Sequence, residues 1–188
     1  MSWIAWAVIG AIVVILLLWG VAIYNGLVRL RALAEEGFSG ITVQLRRRAD
    51  LIPNLVSTVE GYATHERETL TQVIAHRGDA VNAKGVAATA QADTAMSAMI
   101  GRLFAVAEAY PDLKANTNFQ QLQTELSDIE NKIAASRRFF NNAVQEYNTG
   151  IEQFPAAVIA GPFGFTRREF FDLGETRSQV EQVPQVKF

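Results

Sequence analysis

Residues 3–28 carry no charged side chain, and about half of them are Ile, Leu or Val. A helix rises about 1.5 Å per residue and a bilayer's hydrocarbon core is about 30 Å thick, so roughly 20 such residues span it once. At a helix centre each Ile, Leu or Val contributes about −0.3 to −0.6 kcal/mol to insertion; about a dozen supply on the order of −4 to −7 kcal/mol. Two other readings fit less well. A cleavable signal needs a basic start, an apolar stretch of about 7–15 residues and a small-residue cleavage site. Here only Met1 and Ser2 precede the run, the run is longer, and Tyr24, Asn25 and Gly26 offer no cleavage signal. A buried core helix would not need aromatic rings at its two ends. Trp3 and Trp6 stand at one end and Trp19 and Tyr24 at the other, where an interfacial belt belongs. The segment reads as a membrane anchor.

Charge sets the expected orientation. No Lys or Arg precedes the run, whereas Arg29 and Arg31 follow at once and Arg46, Arg47 and Arg48 lie further on. The positive-inside rule places the chain after the anchor in the cytoplasm. The remaining 160 or so residues can bury one domain's core. A formal net charge of −2 and the lack of a basic stripe argue against a nucleic-acid partner. Cysteine is absent, which removes disulfides and thiolate chemistry.

Helical periodicity organises the chain beyond the anchor. Leu27, Leu30, Ala34, Phe38, Ile41 and Leu45 recur at spacings of three and four, so the anchor is expected to run on as a stalk. Arg46, Arg47 and Arg48 then fall in its last turn, where they either suit the helix dipole or bind lipid phosphates or a partner. Asp50 either caps a second helix with Pro53 in its first turn, or Pro53 kinks one unbroken helix. Ile52, Leu55, Val56, Val59, Tyr62, Leu70, Val73 and Ile74 continue the apolar face up to a break at Gly78, Asn82 and Gly85. An Ala-rich helix to Tyr110 turns Met96, Ile100, Leu103, Phe104 and Ala107 inward, and Pro111 stops it. A long helix comes next, with Asn118 and Gln121 as a capping-box-like start. Its seam of Phe119, Leu122, Leu126, Ile129, Ile133, Phe140, Tyr147 and Phe154 sustains a coiled-coil-like heptad register.

The expected fold is all-α: one N-terminal transmembrane helix continuing into a long antiparallel bundle of about four helices. The expected domains are the anchor at 1–28, the bundle with an apolar C-terminal strip at 29–171, and a polar, disordered tail at 172–188. The strip, PAAVIAGPFGFTRREFF, is too short to span a bilayer. It either folds back over the bundle or docks on lipid or a partner through Phe163, Phe165, Phe170 and Phe171, with Arg167 and Arg168 at headgroups.

No motif carries chemistry. His65 and His76 are expected on one helix about 16 Å apart, too far to share a metal. His65-Glu66 lacks the second histidine of a zinc motif, since Thr69 occupies that place. Gly161 and Gly164 have no following Lys-Ser or Lys-Thr of a phosphate loop. No cofactor or metal is expected, and the chain does not read as an enzyme.

Three blocks resemble the LemA family. They are RRADLIPNLV, from Arg47 and Arg48 through Asp50, Pro53 and Asn54; EAYPDLKAN, with Tyr110, Pro111, Asp112, Lys114 and Asn116; and the run from FQQLQ at Phe119 through Arg137-Arg138-Phe139 and Tyr147-Asn148 to Phe154-Pro155. Tyr24-Asn25 and the strip from Ala160 to Phe165 fit as well, so the likeness extends from the anchor to about Phe171. Phe38 stands where the family often has tryptophan, Glu60 where lysine is common and Phe140 where tyrosine is frequent. The resemblance implies a bacterial protein with one membrane helix, a long antiparallel bundle and no established catalytic activity.

Three functions fit these readings. One is a membrane-anchored scaffold that self-assembles as a homo-oligomer, helped by Ala7 and Ala11 at small-xxx-small spacing. Another is a monomeric adaptor presenting its bundle to a membrane protein such as a protease or an envelope-stress component. The third is a lipid-remodelling protein working through the apolar strip.

Overall fold

The structure is a computed structural model that describes residues 3–171 of the 188; the expected tail at 172–188 lies outside the described residues. Among the described residues there are six helices and no strand: α1 Trp3–Glu60, α2 Arg67–Asn82, α3 Val86–Glu108, α4 Pro111–Lys114, α5 Thr117–Glu152 and α6 Ala156–Ala160. The all-α class and the helical bundle are as the periodicity indicates. Two of the six helices are single turns within the connections.

Helix α1 passes through Pro53 without a break and ends at Glu60, so the unbroken helix is the correct one of the two readings at Asp50. Physics allows this because one hydrogen bond is replaced. Pro53 has no N–H to give to the carbonyl four residues back, that of Ala49. Arg77 of α2 donates its Nε–H to that Ala49 oxygen at 2.8 Å. Arg46, Arg47 and Arg48 therefore lie inside a helix rather than in its last turn, and the helix-end reading of this triplet falls away.

The chain divides into two compact units, each drawing on α1 and α5. In the unit of residues 38–138 with 170–171, Ile52, Leu55, Val59, Val73, Met96, Leu103, Leu113, Phe119 and Leu126 form one buried core. Tyr62 meets Asn116 while Arg48 meets Glu130, so α1 and α5 run antiparallel here. Asn116 caps α5: its Oδ1 accepts the Phe119 N–H at 3.1 Å. The cap is thus two residues earlier than Asn118. Gly85 takes φ +82° between α2 and α3, a conformation that favours glycine.

In the unit of residues 3–37 with 139–169, Leu27, Tyr147, Ile151, Ala160 and Phe165 form a second core. Leu30 lies against Gly150 and Gly37 against Phe140, so α1 and α5 are antiparallel here too. Phe154, expected at the end of the seam, is 82% exposed, because the helix ends at Glu152 and the chain turns away.

Close approach at Gly37 has a measurable consequence. A Cβ there would sit 3.0 Å from the Phe140 Cα and 3.2 Å from Phe139 Cδ1, whereas one at Gly40 meets nothing within 4 Å. Both glycines are inside α1, where Ala is favoured by about 1 kcal/mol. Gly40→Ala is expected to raise stability by up to that amount. Gly37→Ala is expected to forfeit the gain, and Gly37→Leu to cost about 1–3 kcal/mol through overpacking. Denaturant titration followed by helical circular dichroism reads all three; equal stabilisation by both alanines would contradict the tight contact.

Candidate functional site

The first part of α1 is the most exposed apolar surface among the described residues. No residue of its most apolar 18-residue window is buried by the rest of the chain. Trp3 is 79% exposed, and Trp6, Trp19 and every Ile, Val and Leu from Ile4 to Val21 lie open. All intrahelical hydrogen bonds can be made within such a helix, the condition for life in hydrocarbon. It is long and apolar enough to cross a membrane. Ala7 and Ala11 are exposed on it, and a Cβ on the intervening Gly10 would touch nothing.

At the C-terminal end of this run the apolar strip folds back onto α1. The Tyr24 ring meets Phe163 at 5.3 Å and Phe165 at 5.5 Å, both edge to face. Arg31 places its guanidinium 5.2 Å from the Phe165 ring centre. Tyr147 donates its hydroxyl to the Thr166 carbonyl at 2.9 Å. The buried Asn148 both donates to the Arg168 carbonyl and accepts its N–H, each at 2.9 Å. Arg168 also pairs with Glu35, and Arg167 reaches Glu152 at 3.0 Å. Of the candidate docking residues in this unit, Phe165 is buried, Phe163 is 62% exposed, and both arginines are ion-paired. Phe170 and Phe171 belong to the other unit; Phe171 is buried there and Phe170 is half-exposed.

That other unit holds a feature that a pattern of apolar residues does not point to. Arg48 is 2% exposed and Asp93 1%. Arg48 Nη2 donates to the Asp93 carboxylate, and its Nη1 donates to Ser97 Oγ at 3.0 Å and to Glu130 Oε2 at 2.9 Å. Arg137 Nη2 binds the second Asp93 oxygen and lies 3.5 Å from Glu130. The Phe171 ring sits 5.8 Å from the Arg137 guanidinium carbon. Two cations and two carboxylates thus join α1, α3 and α5 in a neutral cluster. Its carboxylates are committed to guanidinium groups, so it holds helices together and leaves no free base. An open groove of about 520 Å³ runs beside it, lined by Ile100, Phe104, Leu126 and Ser127 as well as by Arg48 and Glu130.

Heptad spacing was the available signal. Ile41, Leu45, Arg48, Ile52, Leu55 and Val59 step by four and three along α1, which puts Arg48 on the core face. Asp93 likewise stands between Ala90 and Met96.

The other motif residues are placed apart from this cluster. Arg47, Asp50, Pro53 and Asn54 are exposed, with Asp50 3.4 Å from Arg46. Tyr110, Pro111, Asp112, Lys114 and Asn116 build the turn from α3 to α5: Pro111 opens α4, Lys114 pairs with Glu108 at 2.6 Å, and Asn116 is the α5 cap. His65 lies in the turn between α1 and α2 while His76 is within α2. The two histidines are therefore not on one helix, because Glu60 ends α1 before His65. Among the described residues no group of three His, Cys, Asp or Glu side chains could hold a metal.

Comparison with known proteins identifies the family. The model of the LemA family matches residues 37–188. The chain is 28% identical over 174 residues to the magnetosome protein MamQ of Magnetospirillum gryphiswaldense, covering 79% of this chain and 64% of that protein. The MamQ 2 protein of Paramagnetospirillum magneticum is 26% identical over the same shares. Protein LemA of Metamycoplasma hominis is 28% identical over 160 residues, with 85% and 71% covered. The chain spans just under two thirds of the length of the MamQ relatives it matches. With the motif blocks, the helical bundle and a family match over most of its length, this chain belongs to the LemA family.

Proposed function

We propose that this protein is a non-enzymatic scaffold that is anchored in a bacterial inner membrane by α1 and assembles laterally with further copies of itself, its C-terminal part in the cytoplasm. The observation that carries the proposal is the apolar part of α1 with no buried residue, which needs lipid as its surroundings and leaves its sides open to further anchors. The open face of Ala7, Gly10 and Ala11 supports close approach of a second anchor, because small residues let helix backbones meet. Two of the relatives are named as magnetosome proteins, which supports a place at a cellular structure. Closed symmetric assembly is the common form of such contacts.

The mass of full-length protein in lipid nanodiscs or mild detergent, with particle images, tests this. A single closed oligomer is expected. Ala7→Leu is expected to weaken each anchor contact by about 1–3 kcal/mol through overpacking and to shift the protein towards smaller species, with its helical content unchanged. A clean monomer would remove the scaffold and leave an adaptor that presents its bundle to another membrane protein, to be sought as a stoichiometric partner.

A further inference from the structure

We infer that the turn around α6 is a lipid-contacting surface, in which Phe154, Val158 and Phe163 enter the boundary between headgroups and acyl chains beside the anchor. The inference rests on reading the first part of α1 as bilayer-spanning. It goes beyond that reading by giving the bilayer a second contact, far away in sequence.

The register along α1 sets the depth of this turn. Phe163 packs on Tyr24, the last ring of the anchor. Ala160 and Phe165 share a core with Leu27. Arg31 then lies over Phe165, and Glu35 pairs with Arg168. Proceeding along α1 from Tyr24 to Glu35, the strip passes from apolar to charged just as the helix beside it does. Residues 153–166 carry no charge, and Glu152 and Arg167, which bracket them, pair with each other at 3.0 Å. Phe163 thus sits on the lipid side of Arg29, the first charge after the anchor, by about one and a half helical turns.

Side-chain direction adds a second argument. Ala156 and Ala160 turn towards Leu27, so the opposite face of α6 has no cover from its own unit. On it Val158 is 67% exposed, and Phe154 and Phe163, which precede and follow α6 in the chain, are 82% and 62% exposed. Water is a poor solvent for three large exposed apolar groups within ten residues of chain, whereas an interfacial layer accepts aromatic rings and aliphatic chains. A second copy of the chain is the competing occupant. Depth favours lipid, because Phe163 packs on the ring that ends the anchor.

The chain has no cysteine, so single-cysteine variants give unambiguous probes. Full-length Val158→Cys, Ile15→Cys and Asn142→Cys would carry a small fluorophore in phosphatidylcholine–phosphatidylglycerol vesicles with nitroxides either near the headgroup or near the chain end. Asn142 is exposed on α5 and adjoins the level of Gly37, roughly 15–20 Å past Tyr24. The Val158 probe is expected to be quenched at least about twofold more than the Asn142 probe, and more by the shallow nitroxide than by the deep one. The Ile15 probe is expected to show the reverse depth order. Adding Phe154→Ser and Phe163→Ser, both at exposed positions, is expected to reduce the Val158 quenching. Quenching at Ile15 without excess at Val158 overturns the proposal and leaves the anchor standing. Oxidative cross-linking of Val158→Cys between copies, with no quenching, also overturns it and assigns the patch to a second copy. Absence of quenching at both sites overturns anchor and patch together.

Discussion

Replacing Asp93 by leucine is expected to destabilise the protein by about 3–5 kcal/mol, the usual cost of breaking a buried ion pair from one side. The Asp93 side chain has no exposed surface, and its two oxygens bind Arg48 and Arg137 separately. Without it, Arg48 keeps Glu130 and Ser97, but two guanidinium groups face each other with one partly exposed carboxylate between them. Arg137 is poorly placed to compensate, since its Nε is already buried without a partner. For a chain of this size the loss corresponds to a fall of roughly 10 °C in Tm. Asp93→Asn keeps the shape and one acceptor, so a smaller loss is expected. The combined variant Arg48→Met, Asp93→Leu, Arg137→Leu removes the charges together and is expected to recover most of the stability, as apolar replacements of buried ion clusters do. Denaturant unfolding of the full chain in detergent, followed by helical circular dichroism, measures each. A cost under about 1 kcal/mol for Asp93→Leu would mean that both arginines reach water, and the cluster would not hold α1 to α3 and α5.

Helix identity was legible because it is written in local periodicity. The steps of three and four from Leu27 to Leu45, and from Phe119 to Tyr147, predict the buried faces of α1 and α5, and Ile41, Ile133 and Phe140 are indeed among the least exposed residues. The anchor was legible for a simpler reason: a long uncharged run has few other physical outcomes. The buried charge cluster was not read because apolar periodicity admits only apolar residues. Arg48 and Asp93 occupy core positions whose polarity is compensated by partners 44 and more residues away, and distance in sequence hides the compensation. The continuation of α1 through Pro53 was open for the same reason. Asp50 and Pro53 are a good helix start by local rules, and only a tertiary bond from Arg77 makes the unbroken helix tolerable. Phe154 shows the reverse failure. Its heptad spacing is correct, but α5 ends two residues earlier and the register stops with it.

Arg77→Met is expected to cost about 1.5–3 kcal/mol, the worth of a hydrogen bond from a charged donor, because the Ala49 carbonyl has no second partner in the helix. Ala49 is 2% exposed, so water cannot replace the guanidinium without opening the contact between α1 and α2. The same carbonyl can be satisfied from within α1 once residue 53 has an N–H. Pro53→Ala is therefore expected to be neutral or stabilising, and in that background Arg77→Met is expected to cost less than about 1 kcal/mol. The coupling between the two substitutions is then about 1–2 kcal/mol, well above the scatter for independent sites. Four denaturant unfolding curves give this cycle. Additive costs would place the role of Arg77 in its 3.9 Å pair with Asp50 instead. That pair is half in solvent, so it is worth at most about 1 kcal/mol. A coupled outcome assigns the proline of the RRADLIPNLV block a definite task. It frees one carbonyl of a continuous helix for capture by the next helix, so that the turn between α1 and α2 closes in one register.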